Sequence, residues 1–335
     1  MPSEVRSTVP PPGSGPASCR EANVWRPYAC ATCLLAAIVA MVSVPAITAE
    51  RYGYTWSLLI WLAPALLFAG ALRRQTRGMP GACGMWTAIA CTVALTTTYI
   101  TAVETCLAQY AFWFPNREAV LGFYLPHFQL GRWQFDPVRA YPFEELLFYV
   151  VAVLAILLIY LWTDVQASGV ATRSDTTVDK RRCHHVPGRM ACAQFAGVVA
   201  WLLAIALRSH WNSIPTAGLP LQSGLILVLG IAPIIAMYPS VRKLVNWKAM
   251  GFTLAMVLPL SVFYEALLGL PRGWWAYHAQ ATLGIYLDQR RLVPLEAAVV
   301  WVAGVFFTVF ILERFRLRLG NGGGHLCLTR RKRFW

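Results

Sequence analysis

Apolar stretches of membrane length constrain this chain more than any other feature of its sequence. The hydrocarbon core of a bilayer is about 30 Å thick, so a helix needs roughly 20 mostly apolar residues to span it. Eight stretches have this character, at about 29–49, 55–72, 84–103, 143–163, 191–208, 221–239, 249–269 and 294–312. We therefore predict an all-α integral membrane protein with about eight transmembrane helices. The charged fraction of 13%, about half that of soluble domains, agrees with this class.

The basic residues predict how the chain is oriented. The net charge is +14. If the N-terminus is cytoplasmic and the chain crosses eight times, most of the 29 Lys and Arg residues fall on the cytoplasmic side, as the positive-inside rule expects. The basic run at 330–333 is then expected at anionic lipid headgroups. This pattern predicts a lipid bilayer as partner, cytoplasmic N- and C-termini, and no nucleic acid.

A polar segment divides the chain into two halves with the same layout. We predict a disordered Pro-, Ser- and Gly-rich tail over 1–27. A first membrane repeat over 28–163, a cytoplasmic linker over 164–190, a second membrane repeat over 191–313 and a basic tail over 314–335 follow. Because each half has four helices, both halves have the same orientation. The expected architecture is two parallel four-helix repeats, related by an axis along the membrane normal.

Each half ends with an aromatic loop and a Pro-x-Glu motif that starts the last helix. The motifs are Pro142–Glu145, with sequence PFEE, and Pro294–Ala297, with sequence PLEA. One interpretation is an ordinary helix start, since Pro is tolerated there and a first-turn Glu gains about 0.3–1 kcal/mol from the helix dipole. The other is a functional acid, because carboxyl groups are costly inside membranes.

Two further acids lie near the predicted outer ends of the preceding helices. The topology thus brings five candidate catalytic acids to one depth: Glu104, Glu144, Glu145, Glu265 and Glu296. Desolvation favours the protonated form of a carboxyl group. A neutral acid in an apolar cavity can donate a proton to an alkene or an epoxide.

Aromatic residues in the two loops are the candidate substrate-binding residues. They are Trp133, Phe135, Trp274, Trp275 and Tyr277. An aromatic face stabilises a nearby cation by roughly 0.5–2 kcal/mol, so these side chains could line the site of a carbocation reaction. The alternative is an aromatic belt at the membrane interface.

The sequence offers no cofactor motif. No strand-flanked Gly-x-Gly-x-x-Gly is present for a flavin or nicotinamide. Asp175 and Asp179 lie in the polar linker, so magnesium and diphosphate chemistry is not expected. Cys183–His185 and Cys192 match no standard zinc spacing. We predict no cofactor and no metal site.

The combined pattern resembles a known family. A Trp-x-aromatic segment, a loop, Pro-x-Glu-Glu and an apolar helix are similar to the lycopene cyclase domain family, the flavin-independent membrane type of bacteria, archaea and fungi. The resemblance covers about 55–163 and 220–315. The first motif is a close match, whereas the second has Ala297 where the family often has a second acid.

The resemblance implies a redox-neutral ring closure at the end of lycopene, giving a β-ringed carotenoid. An acid protonates the terminal double bond, the next double bond traps the cation, and a base removes a proton. By this analogy Glu144 and Glu145 are the leading acid and base, and Glu296 is their partner. Glu104 and Glu265 stand where the family tends to carry an acid before its aromatic loop.

The expected partners are a lipophilic polyene substrate and other enzymes of the carotenoid pathway. Two alternatives stay open: a cyclase of another isoprenoid, or a non-catalytic carotenoid-binding or scaffold subunit.

Overall fold

The computed structural model describes residues 51–77, 81–107, 111–125, 127–129, 132–134, 141–168, 186–211 and 220–330. Seven long helices lie in these ranges. They are α1 (Gly53–Thr76), α2 (Ala82–Leu107), α3 (Phe143–Ser168), α4 (Val186–Trp211), α5 (Leu221–Val241), α6 (Trp247–Gly269) and α7 (Leu295–Arg330).

Six of these helices are long and apolar enough to cross a membrane, namely α1, α2, α3, α5, α6 and α7. Helix α4 has 26 residues, and its recognised apolar part is Ala191–Ala200. The prediction of a largely helical, multi-pass membrane protein is therefore confirmed for the described part of the chain. The predicted first span at 29–49 and the tail at 1–27 lie outside the described residues.

Two helices continue beyond the ends that hydropathy predicts. Helix α3 runs to Ser168 rather than 163, and α7 runs to Arg330 rather than about 312. A hydropathy pattern marks only the apolar part of a helix, so it does not register the more polar turns that continue α3 past 163 and α7 past about 312. Of the predicted linker, 169–185 lies outside the described residues.

Helices α5 and α6 each contain a π-helical turn. The turns are Ile226–Ile231 in α5 and Glu265–Gly269 in α6. A π-helical turn inserts an extra residue into an α-helix and frequently occurs at functional sites. The turn in α6 begins at Glu265, one of the predicted site acids.

Short antiparallel strand pairs connect the helices at the loop end, meaning the end where α2 and α6 finish and α3 and α7 begin. Strand β1 (Phe112–Trp113) pairs with β6 (Ala276–Tyr277), β2 (Tyr124–Leu125) with β5 (Tyr141–Pro142), and β3 (His127–Gln129) with β4 (Arg132–Gln134). The sequence analysis predicted aromatic loops here, and these strand pairs lie within them.

The β1–β6 pair joins the two halves of the chain. Phe112 stands opposite Tyr277. The pairing continues on both sides, because the Asn116 N–H donates to the Gly273 carbonyl (2.9 Å) and the His278 N–H donates to the Ala111 carbonyl (2.8 Å). The two aromatic loops therefore form one structure at the loop end.

Helices α3 and α7 are central in the bundle. Helix α3 packs against α1, α2, α6 and α7, and α7 packs against α2, α3, α5 and α6. Their inward faces carry fully buried side chains such as Leu157, Leu161, Val305 and Phe310. The two helices that begin with the Pro-x-Glu motifs are thus those with the most helical neighbours in the described structure.

A buried ionic network holds the opposite end of the bundle. Arg316 of α7 donates to Asp164 of α3 (2.9 Å) and to Glu313 (2.8 Å). Tyr160 donates to Glu313 (2.8 Å), and the Asn246 side-chain amide donates to Asp164 (3.0 Å). Charged groups inside a membrane protein are costly unless they are paired, so the network ties α3, α7 and the start of α6 together.

We expect Arg316→Met to destabilise the protein, because it leaves Asp164 and Glu313 buried without their cation. Breaking a buried ion pair costs about 3–5 kcal/mol, and the lower value applies because 24% of the Arg316 side chain is exposed. Thermal unfolding in detergent measures this loss. Arg318→Met is the matched control at an exposed position of the same helix and should change stability little. Equal stability of the two variants would contradict the role of the network.

Candidate active site

The acids of the first Pro-x-Glu motif contact two adjacent residues of α1. The Tyr54 hydroxyl donates to Glu145 (2.6 Å), and the Thr55 hydroxyl donates to Glu144 (2.8 Å). Only 1% of Glu144 and 4% of Glu145 is exposed. Both acids are therefore packed between α1 and α3, and neither is a solvent-exposed helix cap.

Glu144 and Glu296 make the same type of contacts. Glu144 Oε1 also accepts a hydrogen bond from the Leu121 N–H (2.6 Å). Glu296 Oε1 accepts one from the Ser223 hydroxyl (2.7 Å) and one from the Leu283 N–H (2.5 Å). Each carboxyl group thus joins a membrane helix to a loop. The Oε2 atom of each is buried without a hydrogen-bond partner among the described residues.

The two motifs differ in the residues next to these contacts. Tyr54 precedes Thr55, whereas Gln222 precedes Ser223. Glu145 follows Glu144, but Ala297 is the residue that follows Glu296. The tyrosine–carboxyl pair of the first motif therefore has no counterpart at the second, and the site is asymmetric.

Glu104 and Glu265 accept hydrogen bonds from aromatic side chains. The Tyr149 hydroxyl donates to Glu104 (2.5 Å), and the Trp301 indole donates to Glu265 (2.9 Å). Tyr149 and Trp301 stand at equivalent positions, each five residues after the first glutamate of its motif. The two acids are thus held by the helices that follow the two motifs.

Four of the five predicted acids come together around Glu145. Its carboxyl group interacts electrostatically with those of Glu104, Glu265 and Glu144. Glu296, the fifth acid, is held by Ser223 and Leu283 instead. The structure thus brings Glu104, Glu144 and Glu265 within electrostatic range of Glu145, and the common membrane depth of the five acids stays a prediction.

Tyr277, in the loop that follows α6, is the second donor to Glu265. Its hydroxyl lies 2.8 Å from Glu265 Oε2. Burial raises the pKa of Tyr277 well above its usual value, and the neighbouring Glu265 charge raises it further. The Tyr277 hydroxyl therefore keeps its proton at neutral pH and acts as a hydrogen-bond donor.

Aromatic rings surround the acids. Tyr54 lies 5.6 Å from the ring centroids of both Trp274 and Trp275. Phe148 lies 5.7 Å from the Trp301 centroid and 6.3 Å from that of Tyr264. The two loop tryptophans, Trp274 and Trp275, thus form one cluster with aromatic side chains of the helices.

Of the two predicted aromatics of the first loop, only the backbone of Trp133 is described. Trp133 lies in β4, where its Cα is opposite that of Phe128, and its side chain is outside the described part. Phe135 is outside the described residues altogether. Within the described residues, the aromatic cluster also contains helix residues that the sequence analysis did not select, namely Tyr54, Phe148, Tyr149, Tyr264 and Trp301. The equal spacing of Tyr149 and Trp301 from the two motifs was the available signal.

Gly269 at the end of the π-helical turn allows Trp275 to pack closely. A Cβ at this position would lie 2.2 Å from the Trp275 ring. The Trp274 N–H also donates to the Gly269 carbonyl (2.9 Å). The turn that positions Glu265 therefore also positions the two tryptophans.

An apolar groove leads from the aromatic cluster along the bundle. It lies between α1, α3, α6 and α7 and is open on one side. On α3 its lining extends from Phe148 to Ile159, a rise of roughly 16 Å at 1.5 Å per residue. Tyr264 and Trp301 line the same end of the groove as Phe148. An elongated apolar molecule in this groove would bring one end to the cluster.

Within the described residues, no group of three or more His, Cys, Asp or Glu side chains is arranged to hold a metal ion. Cys183–His185 lies outside those residues. Comparisons with protein-family models, curated proteins and solved structures found no match to this chain. Fold and site together define a multi-pass helical membrane protein with a buried acid and aromatic cluster beside an apolar groove.

We expect Gly269→Ala to displace Trp275 and to lower stability by about 2 kcal/mol, as overpacking in a core does. Thermal unfolding in detergent tests this. Gly251→Ala on the same helix is the matched control, because a Cβ there meets nothing within 4 Å. The control should be neutral or gain up to about 1 kcal/mol from helix propensity. Equal behaviour of the two variants would show that Trp275 moves away freely.

Proposed function

We propose that this protein is a carotenoid-end cyclase that closes a ring on lycopene by proton transfer, giving a β-ringed product. The observation that carries the proposal is the apolar groove that ends at a cluster of buried acids and aromatic rings. The reaction is an isomerisation, so it needs one proton donor and one proton acceptor but no redox cofactor. The apolar lining suits a polyene, and the roughly 16 Å of α3 that lines the groove would hold one end of the linear chain.

We assign the proton transfers to Glu145 and Glu265. Glu265 accepts a hydrogen bond from Trp301, which lines the groove. Glu145 accepts one from Tyr54, whose ring packs against Trp274 and Trp275. One of the two, as the carboxylic acid, donates a proton to the terminal double bond, and the neighbouring double bond closes the ring. The other, as the carboxylate, removes a proton from the ring cation, so the reaction has no net gain or loss of protons. Positioned acids and bases typically contribute about 10²–10⁴-fold in rate.

The aromatic rings would stabilise the intermediate cation. Phe148, Tyr264 and Trp301 line the end of the groove, where the reacting end of the polyene would lie. Each face contributes roughly 0.5–2 kcal/mol to a desolvated cation. Glu104 is a third acid near Glu145, and it accepts a hydrogen bond from the Tyr149 hydroxyl. The family resemblance implies a different assignment, in which Glu144 is the leading acid and Glu296 is its partner, and that rival assignment stays a prediction.

We further propose that the chain has eight membrane spans in two parallel repeats. The matched contacts of Glu144 and Glu296, the reciprocal hydrogen bonds beside β1 and β6, and the reciprocal packing of α3 and α7 support this arrangement. Span 29–49 would then correspond to α4. The charge distribution supports cytoplasmic termini, with the acids toward the other side. Other enzymes of the carotenoid pathway are the proposed protein partners.

We expect a lycopene-accumulating bacterial host to form ringed carotenoids when it expresses this chain. Glu145→Gln should lower ring formation at least about 100-fold, because an amide cannot transfer the proton. Pigment analysis by chromatography measures the products. Glu118→Gln, at an exposed loop position, is the control and should behave like the wild type.

The same experiment separates the alternatives. Unchanged lycopene, with protein present in the membrane, rejects the lycopene assignment. Lycopene that then copurifies with the protein supports a binding or scaffold subunit. If no pigment copurifies, ring closure of other isoprenoids is the next assay.

We expect Ala155→Phe to block the groove. Ala155 lines the groove on α3, and a ring at this position would exclude the polyene chain. The effect should be at least about tenfold on kcat/KM, equivalent to about 1.4 kcal/mol. Ala90→Phe on the exposed face of α2 is the control. Initial rates in liposomes at several lycopene concentrations measure kcat/KM for both variants. Equal values for Ala155→Phe and Ala90→Phe would show that the substrate binds outside this groove.

A further inference from the structure

We propose that Glu144 and Glu296 are positioning residues that anchor the two loops, and that neither transfers a proton in the reaction. The activity part of this inference rests on the proposed cyclase function. The structural part, which concerns the loops, stands without it. The first glutamate of each Pro-x-Glu motif then has a structural role, and Glu145 and Glu265 carry out the proton transfers.

The contacts of the two side chains are those of hydrogen-bond acceptors. In each glutamate a single oxygen, Oε1, accepts two hydrogen bonds, one from a side-chain hydroxyl and one from a backbone N–H. The donors come from a membrane helix and from a loop, so each carboxyl group closes a connection between two elements. None of the five acids lines the groove itself. Trp301, a donor to Glu265, lines it, whereas no donor of Glu144 or Glu296 does.

The comparison between the halves separates anchoring from chemistry. The anchor is complete in both halves, with Thr55 and Leu121 at Glu144 and with Ser223 and Leu283 at Glu296. The adjacent tyrosine–carboxyl pair exists only in the first half, since Gln222 and Ala297 occupy the second. The Glu296 contacts are present although Ala297 replaces the neighbouring acid. These contacts therefore hold the loop in place, and they do not require Glu296 or Glu144 to transfer a proton.

The Glu144 anchor sets the geometry of Glu145. Thr55, which it holds, is next to Tyr54, the donor to Glu145. Leu121, which it also holds, follows Ala119 and Val120, and these two residues are buried in the cluster with Tyr54 and Trp274. Loss of this anchor would therefore loosen the Tyr54–Glu145 pair.

The Glu296 anchor sets the geometry of Glu265 in the same way. Leu283, which it holds, lies in the same loop as Tyr277, the second donor to Glu265. Ala281 and Val293 of this loop are buried. Each anchor thus fixes the aromatic donor of one of the two proton-transferring acids.

Substitution by Gln and by Leu distinguishes an anchor from a proton carrier. Glutamine keeps a carbonyl oxygen that accepts both hydrogen bonds but transfers no proton, whereas leucine removes the acceptor. We expect Glu144→Gln and Glu296→Gln to keep kcat within about threefold of wild type, with an unchanged pH profile. Glu144→Leu and Glu296→Leu should lose at least about tenfold, and Glu145→Gln at least about 100-fold.

Amide hydrogen exchange gives a readout that does not need activity. The Leu121 and Leu283 amides should stay protected in the Gln variants and exchange faster in the Leu variants. Thr55→Val and Ser223→Ala, which remove the hydroxyl donors and keep both glutamates, should raise exchange at the same loops to a smaller degree. These variants test the anchors even where a Leu variant does not fold.

Two results would overturn the inference. One is a Glu144→Gln protein that is as inactive as Glu145→Gln while its Leu121 amide stays protected, because Glu144 would then carry a proton. The other is unchanged exchange at Leu121 and Leu283 in the Leu, Val and Ala variants, which would remove the anchoring role. If the wild type forms no ring from lycopene, the proposed function fails, and the exchange data alone decide on the anchors.

Discussion

Burial of carboxyl groups inside a membrane protein is the constraint on which the loop end of this structure depends. A carboxyl group without donors at this depth costs several kcal/mol. Each of the five acids therefore meets donors from other elements: Tyr54 and Thr55 of α1, Tyr149 of α3, Ser223 of α5, Trp301 of α7, and loop groups at 121, 277 and 283. These hydrogen bonds to the carboxyl groups fix how the helices and loops pack against one another.

Buried carboxyl groups are stabilised by different partners at the two ends of the bundle. At the opposite end Arg316 neutralises Asp164 and Glu313, so that end is a closed ionic network. At the loop end the donors to Glu104, Glu145 and Glu265 are tyrosine and tryptophan side chains, which satisfy an acid without adding a positive charge. An acid held in this way stays available for proton transfer, and this difference places the proposed chemistry at the loop end.

Near-symmetry and its interruption together shape the proposed site. The anchors at Glu144 and Glu296 and the positions of Tyr149 and Trp301 follow one scheme in both halves. Ala297 and Gln222 interrupt it at the positions that hold Glu145 and Tyr54 in the first half. A single asymmetric cluster results, with Glu104 and Glu145 from one half and Glu265 from the other, and the groove opens onto it between helices of both halves.

Local structure could be predicted from the sequence: the apolar runs within the described residues are helices, and the Pro-x-Glu motifs mark the starts of α3 and α7. The sequence also selected the five acids, because a carboxyl group in an apolar run is conspicuous at any position. Only the tertiary structure decided which donors hold them, since Tyr54 and Glu145 are 91 positions apart and hydropathy carries no information on such pairs. The pairing of β1 with β6, the close packing at Gly269 and the recruitment of Trp301 likewise arise from packing between distant segments.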